Sequence, residues 1–164
     1  MENKAVSDTG PILHLTEINL TIALTIFSSI LIPEAVETEL NKNKIPIPKK
    51  IKTIRLKPEW KDISKAISNN NNIDLGESEA IALALQEKAS YLLTDDLAAR
   101  NAAKSFNIEV HGSVGIILRA YREKLFNKKA AIEKVNELHR SSSLFITSDL
   151  INEIVKAINE FKQN

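Results

Sequence analysis

The chain has 164 residues, 43% of them hydrophobic and 26% charged, with no cysteine and a formal net charge of +1. That composition suits one globular domain with its own core, and it rules out a disulfide framework or a thiolate metal site. The near-neutral charge selects no partner class by itself. The longest apolar region, residues 20–32, is too short and too interrupted by Thr21, Thr25, Ser28 and Ser29 to cross a bilayer. Asp8 comes too early for a secretory leader, so a cytoplasmic protein with no membrane contact is expected.

Ala5-Val6-Ser7 reads as a short strand ending at Asp8. Thr9-Gly10-Pro11 then turns the chain into a helix with proline in its first turn. Asn19 is expected to cap a second helix over residues 20–27. Ile30-Leu31-Ile32 is a second apolar strand, and Pro33 starts a third helix. On that helix Ala35, Val36 and Leu40 share one face, and Glu39 falls on the same inward side.

Residues 41–61 are basic, with Lys49, Lys50, Lys52, Arg55 and Lys57 among eight cations against the single acid Glu59. Residues 51–56 suit an edge strand, where lysine is common. These cations are the natural candidates for meeting nucleic-acid phosphates, although a solvated edge explains them equally well. Residues 59–68 suit a helix with Trp60, Ile63 and Ile67 as its stripe, and residues 69–72 a polar loop.

Residues 73–100 organise the rest. Residues 80–85 are unbroken apolar sequence, the mark of a helix covered on every side. Tyr91-Leu92-Leu93 suits a buried central strand that delivers Thr94, Asp95 and Asp96 at its carboxyl end. A helix over 97–106, a strand over 108–110, a His111-Gly112 turn and a Ser113-capped helix follow. Two amphipathic helices, 128–138 and 148–161, close the chain. Strand–helix alternation of this kind is the signature of a parallel α/β sheet.

The acids carry the chemistry. Asp74 and Glu77 have capping-box spacing, which accounts for Glu77 and leaves Glu79 unexplained on a helix with almost no polar face. Asp95 and Asp96 together exceed what one helix cap needs. Acids therefore gather after the first strand, inside the third helix, at the start of the buried helix and after the central strand. Clustered carboxylates need a hard cation such as Mg²⁺ or Mn²⁺, the equipment of phosphodiester hydrolysis.

Four short motifs resemble the PIN-domain nucleases, a family that includes VapC-like endoribonuclease toxins of prokaryotic toxin–antitoxin pairs. They are Val6-Ser7-Asp8-Thr9-Gly10-Pro11, Ile32-Pro33-Glu34-Ala35-Val36 leading to Glu39, Gly76-Glu77-Ser78-Glu79-Ala80-Ile81-Ala82, and Leu93-Thr94-Asp95-Asp96. The likeness runs over about residues 4–121, with extra C-terminal helices over 122–164 completing a single domain. It implies a three-layer α/β/α fold around a parallel sheet, cleavage of single-stranded or structured RNA that depends on Mg²⁺ or Mn²⁺, and frequent homodimers. A cognate antitoxin is a further implied partner.

Carried over residue by residue, Asp8, Glu39, Glu79 and Asp96 match the family's acidic quartet. Asp8, Glu79 and Asp96 are the implied metal ligands, with Asp95 assisting from a variable position. Glu39 orients or deprotonates the attacking water, or binds a second metal. Thr94 matches the hydroxyl residue before the last acid, and Thr9 is auxiliary. Glu79 departs from the family's commoner aspartate. His14, His111 and His139 are scattered and are read as structural or surface residues. The competing reading is a non-catalytic nucleic-acid- or protein-binding module on the same scaffold. A phospho-acceptor domain is disfavoured because Asp8 stands without a second acid beside it.

Overall fold

A computed structural model describes residues 3–162; the expected domain of residues 1–164 extends past both ends of that range. Among the described residues, five short strands form one sheet: β1 (Lys4–Ser7), β2 (Ser29–Ile32), β3 (Ile51–Thr53), β4 (Tyr91–Leu93) and β5 (Glu109–His111). All neighbours run parallel, in the order β3-β2-β1-β4-β5. The helices are α1 (Thr9–Glu17), α2 (Glu34–Lys42), α3 (Pro58–Asn71), α4 (Leu75–Gln86), α5 (Leu97–Ser105), α6 (Ser113–Arg122), α7 (Lys128–Ser141) and α8 (Ser148–Glu160).

The alternation of side chains along the strands divides the core in two. Ala5, Ile30, Ile32 and Leu93 face one layer, built from α1, α2, α6, α7 and α8. Val6, Leu31 and Leu92 face the other, built from α3, α4 and α5. Helices on both faces of a parallel sheet are what its fully apolar strands require. The result is the expected three-layer α/β/α architecture. Helix α4 is buried from Ala80 to Ala84, so its lack of a polar face is explained by cover on all sides.

The chain winds outward from β1 through β2 to β3, then returns to place β4 on the other side of β1. The gap between β1 and β4 is therefore the point where strand order reverses, and ligands of open α/β sheets bind outside the carboxyl ends there. Ser7 pairs with Leu93, so the next residues on each strand, Asp8 and Thr94, leave the sheet side by side.

Several local expectations are corrected. Residues 21–26 form a 3-10 helix rather than an α-helix, and Asn19 does not cap it but takes a left-handed conformation at φ 53°. Asparagine tolerates that conformation better than most residues. Helix α3 runs on to Asn71, and Asn72 ends it at φ 52°, so the polar loop shrinks to its last residue. Ile63 is exposed, and Ser64 is buried in its place. His111 ends β5 instead of starting a turn, and Gly112 rather than Ser113 is the cap of α6.

Helices α7 and α8 are not peripheral. Ala131, Val135, Leu138, Ile151, Ile154 and Ile158 join the same hydrophobic cluster as Ile12 and Leu15 of α1. Leu15 and Leu138 are both fully buried. Leu138→Ala should therefore destabilise the protein by about 2–5 kcal/mol, as Leu15→Ala should. Urea unfolding checks this, and a single transition is expected in both variants. A separate early transition in Leu138→Ala would mean that the C-terminal helices form an independent unit.

Candidate functional site

The carboxyl ends of the central strands open into a cavity of about 360 Å³. Among the described residues, six acids line it: Asp8, Glu39, Asp74, Glu77, Asp95 and Asp96. None of the described lysines or arginines does, and His14 is the one imidazole among them. Each acid arrives by a different local rule, and most do a second job at a helix end.

Asp8 follows β1 and caps α1. Its Oδ1 accepts the Gly10 amide at 3.1 Å, and its backbone N–H continues the ladder to the Leu93 carbonyl at 3.0 Å. The Thr94 hydroxyl donates to its other oxygen, Oδ2. Asp8 is only 5% exposed. Burial pushes its carboxyl well above the ordinary range; the Thr94 and Gly10 hydrogen bonds oppose that rise, and the nearby Asp95 and Glu77 charges add to it. Asp8 is thus a carboxylate placed where it is poorly solvated and surrounded by like charge.

Glu39 reaches the cavity from the inward face of α2, as its helical position requires, and accepts a hydrogen bond from the Thr9 hydroxyl at 2.7 Å. Asp96 caps α5, accepting the Ala99 amide at 2.8 Å through Oδ1. Gly76 lies where α4 meets α2: a Cβ there would be in ordinary contact with Glu39 Oε2 at 3.4 Å and Val36 at 3.6 Å.

Glu79 does not line the cavity; Glu77 does. Two residues along a helix turn by about 200°, so only one of the pair can face a given side. The capping box is present as expected, with Asp74 accepting the Glu77 amide at 2.8 Å and Glu77 accepting the Asp74 amide at 2.9 Å. That role does not remove Glu77 from the cavity, because the start of α4 is itself part of the wall. Burial raises the Glu77 carboxyl; the Asp74 amide bond counters this, and Asp74, Asp96 and Glu39 push it further up. The acid facing Asp8, Glu39 and Asp96 is therefore Glu77.

Asp95 is a brace. Its Oδ1 accepts the Ser113 amide at 2.6 Å, and its Oδ2 accepts the Ser113 hydroxyl at 2.6 Å and meets His14 Nδ1 at 2.7 Å. It ties α1, the end of β4 and the start of α6 together, an anion at a helix N-terminus. Gly112 makes this approach feasible, as a Cβ there would come within 2.7 Å of Asp95 Oδ1. The imidazole of His14 is structural in this sense, yet it also lines the cavity.

None of Lys49, Lys50, Lys52, Arg55 and Lys57 lines the cavity. Lys49 and Lys50 precede β3 and so lie toward the amino ends of the sheet, where they line a separate apolar pocket. Arg55 and Lys57 follow β3 at the carboxyl end, and Arg55 pairs with the exposed Glu34 at 3.1 Å. The basic run is thus split between the two ends of the sheet.

Sequence reasoning missed Asp74 and Glu77 as cavity residues, and it missed residues 143–145 of the α7–α8 loop, which also line the cavity. The first pair was hidden behind a capping role. No local signal marks the loop, which is brought in by Glu17 through hydrogen bonds to Ser143.

Among the described residues, no group of three or more His, Cys, Asp or Glu side chains is arranged to hold a metal ion as it stands. The hydrogen bonds above explain this, because Asp8, Asp74, Glu77, Asp95 and Asp96 are drawn toward helix starts and Glu39 toward the Thr9 hydroxyl. The donor set nonetheless fits a hard divalent cation: oxygen ligands only, mutually repelling and facing one cavity, with Asp8 buried at its base. Glu39, Glu77 and Asp96 each keep an oxygen outside the bonds named here.

Asp8 makes the stability pH-dependent. Its folded-state pKa lies above its unfolded value, so the folded state binds the extra proton between the two. Stability is then full below the ordinary carboxylate range and falls as pH rises through the folded value, by up to about 1.4 kcal/mol per pH unit for one group. Asp8→Asn should flatten this decline and raise the melting temperature at neutral pH. Thermal melts across mildly acidic to neutral pH test it; an unchanged slope in Asp8→Asn would contradict the strained-carboxylate account.

A family model described as a PIN domain matches residues 4–160. Among curated proteins, none matches the chain. The match covers nearly the whole chain, and the strand order, the helical layers and the acid-lined crevice agree with it; the protein belongs to the PIN-domain family.

Proposed function

We propose that the protein is a metal-dependent endoribonuclease that hydrolyses RNA phosphodiester bonds in the cavity between β1 and β4. Members of the family are in general nucleases. The observation that supports the reading best is the convergence of Asp8, Glu39, Glu77 and Asp96 on one cavity without a cation to neutralise them. Burying a carboxyl such as Asp8 beside other acids with no cationic partner is costly for a purely structural site.

In this reading Asp8, Glu77 and Asp96 hold Mg²⁺ or Mn²⁺. When bound, such a cation supplies charge stabilisation for a phosphodiester and lowers the pKa of water. Thr94 fixes one oxygen of Asp8, and the Gly10 amide fixes the other. Glu39, held by Thr9, orients the attacking water and accepts its proton. Asp95 serves the site by locking its own segment to α1 and α6, not by adding a free ligand. Arg55 and Lys57, at the carboxyl edge, are placed to meet the backbone of a longer RNA. Pairing with an antitoxin, dimerisation and a cytoplasmic setting are part of the same proposal, by family likeness.

Cleavage of an RNA pool by the purified protein with Mn²⁺ is the direct test. EDTA should abolish it, and Asp8→Asn and Glu77→Gln should each lower kcat by about a hundredfold or more. Glu79→Gln should stay within a few-fold of wild type. Loss in Glu79→Gln with Glu77→Gln active would return the role to Glu79. A folded wild type that binds Mn²⁺ and RNA but never cuts would favour the non-catalytic module.

A further inference from the structure

Three large apolar side chains stand out furthest among the described residues: Phe145 is 88% exposed, Leu97 71% and Leu75 58%. Single exposed apolar residues are ordinary on a protein surface. Of the three, Phe145 lines the acidic cavity, and Leu13 and Leu144 line it as well. The carboxylates therefore share the cavity with an apolar stretch of rim.

The aromatic member of the rim is held in place from both sides. Before it, Ser143 donates to both oxygens of Glu17, from its amide at 2.9 Å and its hydroxyl at 2.6 Å. After it, Ile146 is buried in the core. The backbone of Phe145 is thus anchored while its ring is left in solvent.

The side chains of the cavity itself supply no positive charge to draw in RNA. None of the described lysines or arginines lines it, and six acids repel phosphate. Nucleobases are flat and neutral, and an aromatic ring offers them a stacking surface without regard to sequence. We propose that Phe145 is a base-stacking residue that holds an unpaired nucleobase at the cavity mouth and so positions the neighbouring phosphodiester over the acids. The proposal rests on the nuclease reading and adds to it a substrate-positioning residue in the α7–α8 loop. In a duplex each base face is already covered by its neighbours, so the substrate segment at this mouth is single-stranded. Leu13 and Leu144 extend the apolar contact within the cavity.

The test compares wild type with Phe145→Ala, Phe145→Leu and Phe145→Trp, all exposed changes expected to leave the melting temperature unchanged. With Mn²⁺ and an unstructured RNA, Phe145→Ala should raise KM about tenfold with little change in kcat. Phe145→Trp should restore KM, and Phe145→Leu, apolar but without a π face, should not. Separately, an oligonucleotide carrying 2-aminopurine should lose fluorescence on binding wild type and regain it with Phe145→Ala. This second arm needs no cleavage, so it decides the stacking even if the nuclease reading fails. KM and 2-aminopurine quenching both within twofold of wild type in Phe145→Ala would overturn the proposal. So would self-association that is lost in Phe145→Ala while nucleotide binding is kept, since the ring would then be a contact between copies.

Discussion

The structure turns on one carboxylate held where water hardly reaches it. Asp8 sits at the carboxyl end of the central strand, between the Thr94 hydroxyl and the Gly10 amide. Its position is set by the β1–β4 register and by its duty as cap of α1. The two hydrogen bonds soften its burial but do not offset it, and the acids around it make matters worse. Burial and like charge both disfavour the ionised form of this carboxyl, which stands at the point where the strand order reverses.

The surrounding acids are placed cheaply, because helix ends supply their scaffolding. Asp96 caps α5, Asp74 and Glu77 close the start of α4, and Asp95 sits at the start of α6. Helix N-termini favour negative charge, so the same dipoles that accept capping acids also steady a cluster of them. The site is thus assembled from four helix starts arranged around two strand ends. The same economy explains why the acids are drawn apart rather than gathered onto one point. Those at helix starts lean toward amides and Glu39 leans toward the Thr9 hydroxyl, and a bound cation has to compete with those bonds.

Much of this was legible in the chain itself. The short apolar runs at Val6, Leu31 and Leu92 mark strands covered on both faces, and the spacing of Val36, Glu39 and Leu40 puts Glu39 inside. Asp8 and Asp96 follow from strand ends. In the sequence Glu79 matches the family's acidic quartet and stands on a helix with almost no polar face, while the capping box gives Glu77 a role of its own; the cavity is nonetheless lined by Glu77. Helical rotation decides between them once the direction of the cavity is known, and that direction is a tertiary fact. The loop carrying Phe145 was not legible at all. Its place depends on Glu17 meeting Ser143 from 126 residues away, and nothing local encodes that contact.

The most direct test of the central claim is calorimetric titration of Mn²⁺ into the protein at mildly acidic pH, repeated in buffers of different ionisation heat. If the strained acids are a cation site, binding must displace protons from Asp8 and Glu77, and the measured heat will change with the buffer. That proton release should largely disappear in Asp8→Asn. Binding with no buffer dependence, or equal binding and proton release in Asp8→Asn, would contradict the assignment of this carboxylate as the heart of a metal-dependent site.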